Sequence, residues 1–213
     1  MRTDELVNLL AAGDLAVPRG VSLRRFATAV VIAFAGAVTL MLAIYGIRPD
    51  IGMAARTPIF WAKVAFPLCL ALGSTIAVVR LSRPSKRVGV GLPVIVLPVV
   101  VLWVAAAALV TMAVPEARQG LIFGQTWRSC PFNILLLCAP GFVAMIWAVR
   151  GLAPTRPRRA GAAAGLLASS IGTLVYCLHC SEMSPAFWGV WYLLGLLLPA
   201  AIGALLGPRL LRW

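Results

Sequence analysis

The chain is expected to be an all-α protein, an integral membrane bundle of six transmembrane helices, and three observations predict it. Of its 213 residues, 62% are hydrophobic and 12% charged, against roughly 25% charged in soluble chains. The apolar residues fall in blocks of about 20, the length that a helix rising about 1.5 Å per residue needs to cross a hydrocarbon core about 30 Å thick. The basic residues gather in alternate gaps between those blocks. A membrane barrel fits poorly, because its strands alternate apolar and polar residues over segments of about 10.

In chain order, the blocks place spans at residues 26–47, 59–79, 90–114, 131–149, 160–178 and 187–206. A net charge of +13 would suit a nucleic-acid partner if it formed a patch, but it follows the spans instead. Fourteen of the 19 Lys and Arg precede the first span, fill the second and fourth loops, or follow the last span. Arg48, Arg56, Arg118 and Arg128 lie on the other side, and Lys63 falls inside a span. This asymmetry obeys the positive-inside rule and puts both termini in the cytoplasm. No direct nucleic-acid binding is expected.

Residues 1–25 form a cytoplasmic N-terminal segment ahead of a membrane domain over 26–213. The segment is too long and too acidic for a signal peptide, and no small-residue cleavage site follows the first span, which is expected to stay as an anchor. Its start, MRTDELVNLLAAGDLAVPRG, reads as a short amphipathic helix. Thr3 can cap it, and Asp4 and Glu5 occupy a first turn where the helix dipole favours negative charge. Leu6, Leu9 and Leu10 then share one face. Such a helix lies on the bilayer or the bundle, or docks into the groove of a cytoplasmic partner.

Within the spans, Pro67, Pro93, Pro98, Pro140 and Pro199 imply kinks that neighbouring helices tolerate. Gly161 with Gly165, and Gly203 with Gly207, make GxxxG steps at the cytoplasmic ends of the last two spans, where backbones can approach closely. Lys63 sits about a turn inside the second span. An ionisable residue there is a functional hypothesis by default, but this depth lets its stem snorkel to the outer interface beside Phe60 and Trp61, and that is the expectation. No Asp or Glu falls in any span, which disfavours a proton relay and hence an ion-coupled transporter.

The stretch VYCLHCSEMSPAFW, residues 175–188, holds two of the five cysteines, the single histidine and one of the six acidic residues. By topology, Cys130 opens the fourth span and Cys180 follows the fifth, so both belong to the outer face. Spans joined by one short loop are antiparallel neighbours, which permits the Cα separation of about 4.4–6.8 Å that a disulfide needs, in a compartment where disulfides persist. Cys130, at a helix N-terminus beside Pro131 and Arg128, is expected to be the stronger nucleophile. Cys180, at a helix C-terminus near Glu182, is expected to resolve it. Two further readings stay open: Cys177 and Cys180 have CxxC redox spacing, and Cys130, Cys177, His179 and Cys180 offer a mixed metal-ligand set. Cys69 and Cys138, deep in spans, read as small buried apolar residues. No resident metal or cofactor is expected, and neither a nucleotide loop nor a catalytic triad suggests an enzyme.

An ordered set of stretches resembles the NrsF family of membrane anti-sigma factors. It comprises RTDELVNLLA at the start, RPD at 48–50, TPIFWAKVAFP at 57–67 and WRSCP at 127–131, then LAPTRPRRAGAAAGLLAS at 152–169, LHCSEMSP at 178–185 and LLGPRLLRW at 205–213. The resemblance implies a protein that holds an extracytoplasmic-function (ECF) sigma factor at the cytoplasmic face of the membrane. It implies release when a pair of periplasm-facing cysteines meets oxidative or thiophilic-metal stress. The family's pair matches Cys130 and Cys180, with Cys177 and His179 as lesser candidates; Cys69, Cys138 and Cys177 are departures. The resemblance also favours docking for the N-terminal helix, with Asp4, Glu5, Leu6, Leu9 and Leu10 as sigma-factor contacts. In the implied mechanism, a disulfide or bridging metal draws the outer ends of the fourth and fifth helices together, and they pivot about the GxxxG contact. The rival class is a quinone-linked membrane thiol oxidoreductase, which wants a robust CxxC plus a second exposed pair.

Overall fold

The structure, a computed structural model, describes residues 3–5, 7, 21–82, 88–152 and 154–212. All regular elements among the described residues are helical. Helix α1 (Val21–Leu40) continues through a π turn (Met41–Tyr45), and a short α2 (Ile51–Ala54) leads into α3 (Pro58–Leu81). Then come α4 (Gly91–Met112), α5 (Pro115–Phe123), α6 (Cys130–Arg150) and α7 (Pro157–Tyr176). Helix α8 (Pro185–Leu210) carries a second π turn at Trp188–Tyr192. Pro58, Pro115, Pro157 and Pro185 each open a helix, where a missing N–H leaves no rung unmade. Gly46 (φ +72°) and Gly124 (φ +54°) end α1 and α5 in a region that side chains disfavour.

Five of these helices are long and apolar enough to cross a membrane: α1 with its π turn, α3, α4, α6 and α8. The sixth expected span corresponds to α7, which has 20 residues but is the least apolar of the long helices, built mainly of Ala, Gly, Ser and Thr. Its place explains this composition. It packs against α1, α3, α6 and α8, with 14 of its residues buried, so close approach to other helices rather than contact with lipid selects its side chains. Helix α4 is the converse: only Gly91 and Leu102 are buried, Ile95 and Val99 pack partly against the core, and most of its other apolar side chains are exposed.

Glycines set the crossings. A methyl group on Gly161 would strike the Gly203 carbonyl, one on Gly165 the Pro199 carbonyl, and one on Gly207 the Pro157 carbonyl. The close α7–α8 contact expected from the GxxxG steps is therefore present. Helices α1 and α6 meet where Gly36 faces Pro140 and Gly141 faces Ala33. The core divides into two halves. One, around Val78, Met145, Val149 and Leu167, lies toward the arginine-bearing helix ends. The other, around Ile134, Tyr176, Phe187, Trp188 and Tyr192, contains the cysteines considered next.

Candidate functional site

Cys130, Cys177 and Cys180 share this second core half, and all three are free thiols at 0%, 0% and 2% exposure. Cys130 and Cys180 thus lie in one core cluster, with Cys177 as a third member. Cys130 is the first residue of α6. Cys180 ends a turn closing α7, in which the Tyr176 carbonyl accepts the N–H groups of both His179 and Cys180 at 3.0 Å. The π turn of α8 delivers Tyr192, whose hydroxyl is buried beside Cys177 and Cys180.

The charges expected to tune the thiols point elsewhere. Arg128 lies over the Trp127 ring, 5.0 Å from its centroid. Glu182 accepts the N–H groups of Gln125 (2.6 Å) and Thr126 (3.1 Å), tying the loop after α7 to the turn before α6. Its carboxylate fills the space where Gly124 lacks a Cβ. Cys130 keeps its helix N-terminal position and is completely buried, whereas reactive cysteines are commonly partly exposed.

The main-chain carbonyl of Cys180 is a hub. Lys63 Nζ donates to it at 2.6 Å and Arg48 Nη1 at 3.3 Å. The Arg48 N–H also donates to the Leu178 carbonyl (3.1 Å), and its guanidinium grips both oxygens of Asp50. That grip holds the Asp50 carboxyl below the usual carboxylate range. Lys63 corrects the expectation of snorkelling: it is 1% exposed, turned inward, with its ammonium over the Tyr192 ring at 5.5 Å. A carbonyl just past a helix end lacks an intrahelical donor, and together with an aromatic face it draws the cation in rather than out.

A second polar chain flanks the thiols. The Tyr45 hydroxyl donates to Asn133 Oδ1 (3.0 Å), and Asn133 Nδ2 donates to the Tyr176 hydroxyl (3.3 Å). His179 donates from Nδ1 to the Gly46 carbonyl (3.0 Å), its ring between Tyr45 and Tyr176 at 5.2 and 5.8 Å. It is therefore spent on the α1–α2 loop. Among the described residues no group of three or more His, Cys, Asp and Glu is arranged to hold a metal, so the four-ligand set of Cys130, Cys177, His179 and Cys180 is not assembled.

Cys138 is buried as expected, its thiol donating to the Leu135 carbonyl (3.2 Å). Cys69 departs from expectation: it is half-buried and lines an apolar groove with Phe66, Leu97 and Pro98. None of the five thiols is exposed, so the second exposed pair that a thiol oxidoreductase would want is missing. Asp4 and Glu5 are helical and exposed; Leu6, Leu9 and Leu10 lie outside the described residues. Sequence reasoning missed Asn133, Tyr176 and Tyr192 as members of the site. Asn133 left a signal, as an amide set in an apolar span; the tyrosines left none.

The family model described as "Negative regulator of sigma F" matches residues 10–213. A protein of Azospira oryzae named "Probable anti-sigma-F factor NrsF" is 48% identical over 213 residues, with both chains covered in full. The "Anti-sigma-F factor NrsF" of Caulobacter vibrioides is 38% identical over 217 residues, again with full coverage of both. No solved structure matches the chain. These are names of regulators, not of enzymes. With almost the whole chain covered by the family model and both relatives aligned end to end, the chain belongs to the NrsF family.

Proposed function

We propose that the protein is a membrane-embedded anti-sigma factor. It holds an ECF sigma factor at the cytoplasmic face of the bacterial inner membrane and releases it when Cys130 and Cys180 are oxidised or bridged by a thiophilic metal ion. Six helices span the bilayer, α7 included, with both termini cytoplasmic; a helix walled in by protein has no need of lipid-facing apolarity. Asp4 and Glu5, with Leu6, Leu9 and Leu10, supply part of the sigma-factor contact.

The observation that carries this reading is the separation of the two ends. The thiols are buried at one end of α6 and α7, while Arg80, Arg150, Arg158, Arg159 and Arg209 stand at the opposite helix ends. Disulfide formation joins the two sulfurs and passes two electrons and two protons to the oxidant; a soft cation displaces the two protons instead. Either reaction pulls the start of α6 against the turn after α7. The Gly161–Gly203 contact holds the other end of α7 against α8, so α7 turns about it. A tenfold change in affinity requires only about 1.4 kcal/mol, which a small rotation supplies.

The test is co-purification from native cells in mild detergent under reducing conditions, with mass spectrometry of the bound partners. A stoichiometric sigma factor should accompany the protein and leave after oxidant treatment, and the Cys130→Ser/Cys180→Ser double variant should retain it through the same treatment. A folded, reduced sample without a sigma factor sinks the reading.

A further inference from the structure

Lys63 and the turn from Cys177 to Cys180 grip each other at two points. The Lys63 ammonium donates to the Cys180 carbonyl at 2.6 Å. In return the Cys177 thiol donates to the Lys63 carbonyl, 3.9 Å from sulfur to oxygen. The second contact exists because of Pro67, which stands inside α3. In an α-helix the carbonyl of residue 63 accepts from the N–H of residue 67, and proline has none. A buried helix carbonyl is thereby left open, and a thiol occupies it.

Lys63 makes no ion pair among the described residues. Among the described residues its charge is met by the Cys180 carbonyl and the Tyr192 ring. A buried ammonium so sparsely satisfied follows the groups that hold it. The missing rung between Lys63 and Pro67 is also where α3 bends most easily. Beyond Pro67, α3 runs along α7 to Val78 and Leu81, both buried in the core half at the arginine end. The contact, the gap in the helix and the route to the opposite end therefore belong to one element.

We propose that Lys63 is the positioning residue through which the Cys177–Cys180 turn sets the bend of α3 at Pro67, with Cys177 as the second half of the contact. The inference rests on reading the thiol cluster as a sensor. It makes α3, in addition to the turning of α7 about Gly161, an element that carries the change to the sigma-factor side.

The experiment uses the full chain with its sigma factor in detergent, treated with diamide, which takes two electrons and two protons from a pair of thiols. Disulfide content is read by mass spectrometry and sigma-factor affinity by titration. The wild type should lose about tenfold in affinity on oxidation. Lys63→Met should form the disulfide to the same extent and yet bind with nearly equal affinity before and after; Lys63→Arg should restore the response. A Lys63→Met variant that responds like the wild type overturns the proposal.

Two further arms keep it decidable. If the wild type binds no sigma factor, the functional reading fails separately, and hydrogen exchange over residues 64–71 decides the inference: oxidation should raise it in the wild type and not in Lys63→Met. If Lys63→Met does not fold, Pro67→Ala returns an N–H to the Lys63 carbonyl and straightens α3. That variant should lose most of the response, and a full response in it overturns the proposal.

Discussion

Gly161→Ala measures how tightly α7 and α8 are held. The added methyl would stand 2.9 Å from the Gly203 carbonyl carbon and 3.1 Å from the Gly207 Cα, and closer still to the Gly203 oxygen. Carbon–carbon contacts settle at about 3.5–4.0 Å and the Gly203 oxygen is the tightest obstacle, so the two backbones must part by about 1 Å or more. No side chain can rotate aside, because both obstacles are main chain. Overpacking of this kind costs about 1–3 kcal/mol, and alanine's better helix propensity returns up to about 1 kcal/mol. A net loss of about 1–2 kcal/mol is expected. Gly203→Ala should lose a similar amount, since its methyl would meet the Gly161 carbonyl. The double variant should lose less than the sum, because the separation that admits one methyl admits the other. Gly120→Ala, in α5 with nothing within 4 Å of the added methyl, is the control. The assay is unfolding of the purified protein by SDS in mixed micelles, followed by tryptophan fluorescence. Gly161→Ala within about 0.3 kcal/mol of the wild type, or strictly additive losses, would refute the reasoning.

Three other outcomes are expected. Glu182→Gln weakens the carboxylate bonds to the Gln125 and Thr126 amides; about 1–2 kcal/mol should be lost in the same titration, with faster hydrogen exchange at those two amides. Asn133→Leu leaves the Tyr45 and Tyr176 hydroxyls without their shared partner and should cost about 1–3 kcal/mol, part of which Tyr45→Phe recovers in the double variant. Asp50 has its folded pKa depressed by Arg48, so its stabilisation is present above the unfolded value of about 3.9 and is lost as pH falls through the folded value. Asp50→Asn should therefore flatten the fall in thermal midpoint below about pH 4; identical slopes would show that the pair adds nothing.

Much of the frame was legible from residue patterns because the bilayer demands long apolar helices and leaves few alternatives. The helices met at Gly161 and Gly203 where the spacing of small residues said they should, and Cys130 and Cys180 lie in one core cluster. Helix α7 was expected as a span but is less apolar than the five membrane-length helices; its Ala, Gly and Ser content reflects contacts with four neighbours that no local window contains. Lys63 was misread for a related reason. Its depth suited snorkelling, and the groups that pull it inward, the Cys180 carbonyl and the Tyr192 ring, lie more than 100 residues away in the chain.

The sequence by itself determined the helical class, the positions of the membrane-length segments and the sorting of charge to alternate gaps between them. These follow from the cost of placing polar backbone and charge in hydrocarbon, which is paid residue by residue. Only the tertiary structure decided that Cys177 joins the thiols, that Arg48 and Lys63 converge on one carbonyl, and that Glu182 and His179 are spent on loops. Those outcomes are choices among hydrogen-bond partners of similar strength, and the packing of α3, α6, α7 and α8 settles which partner is within reach.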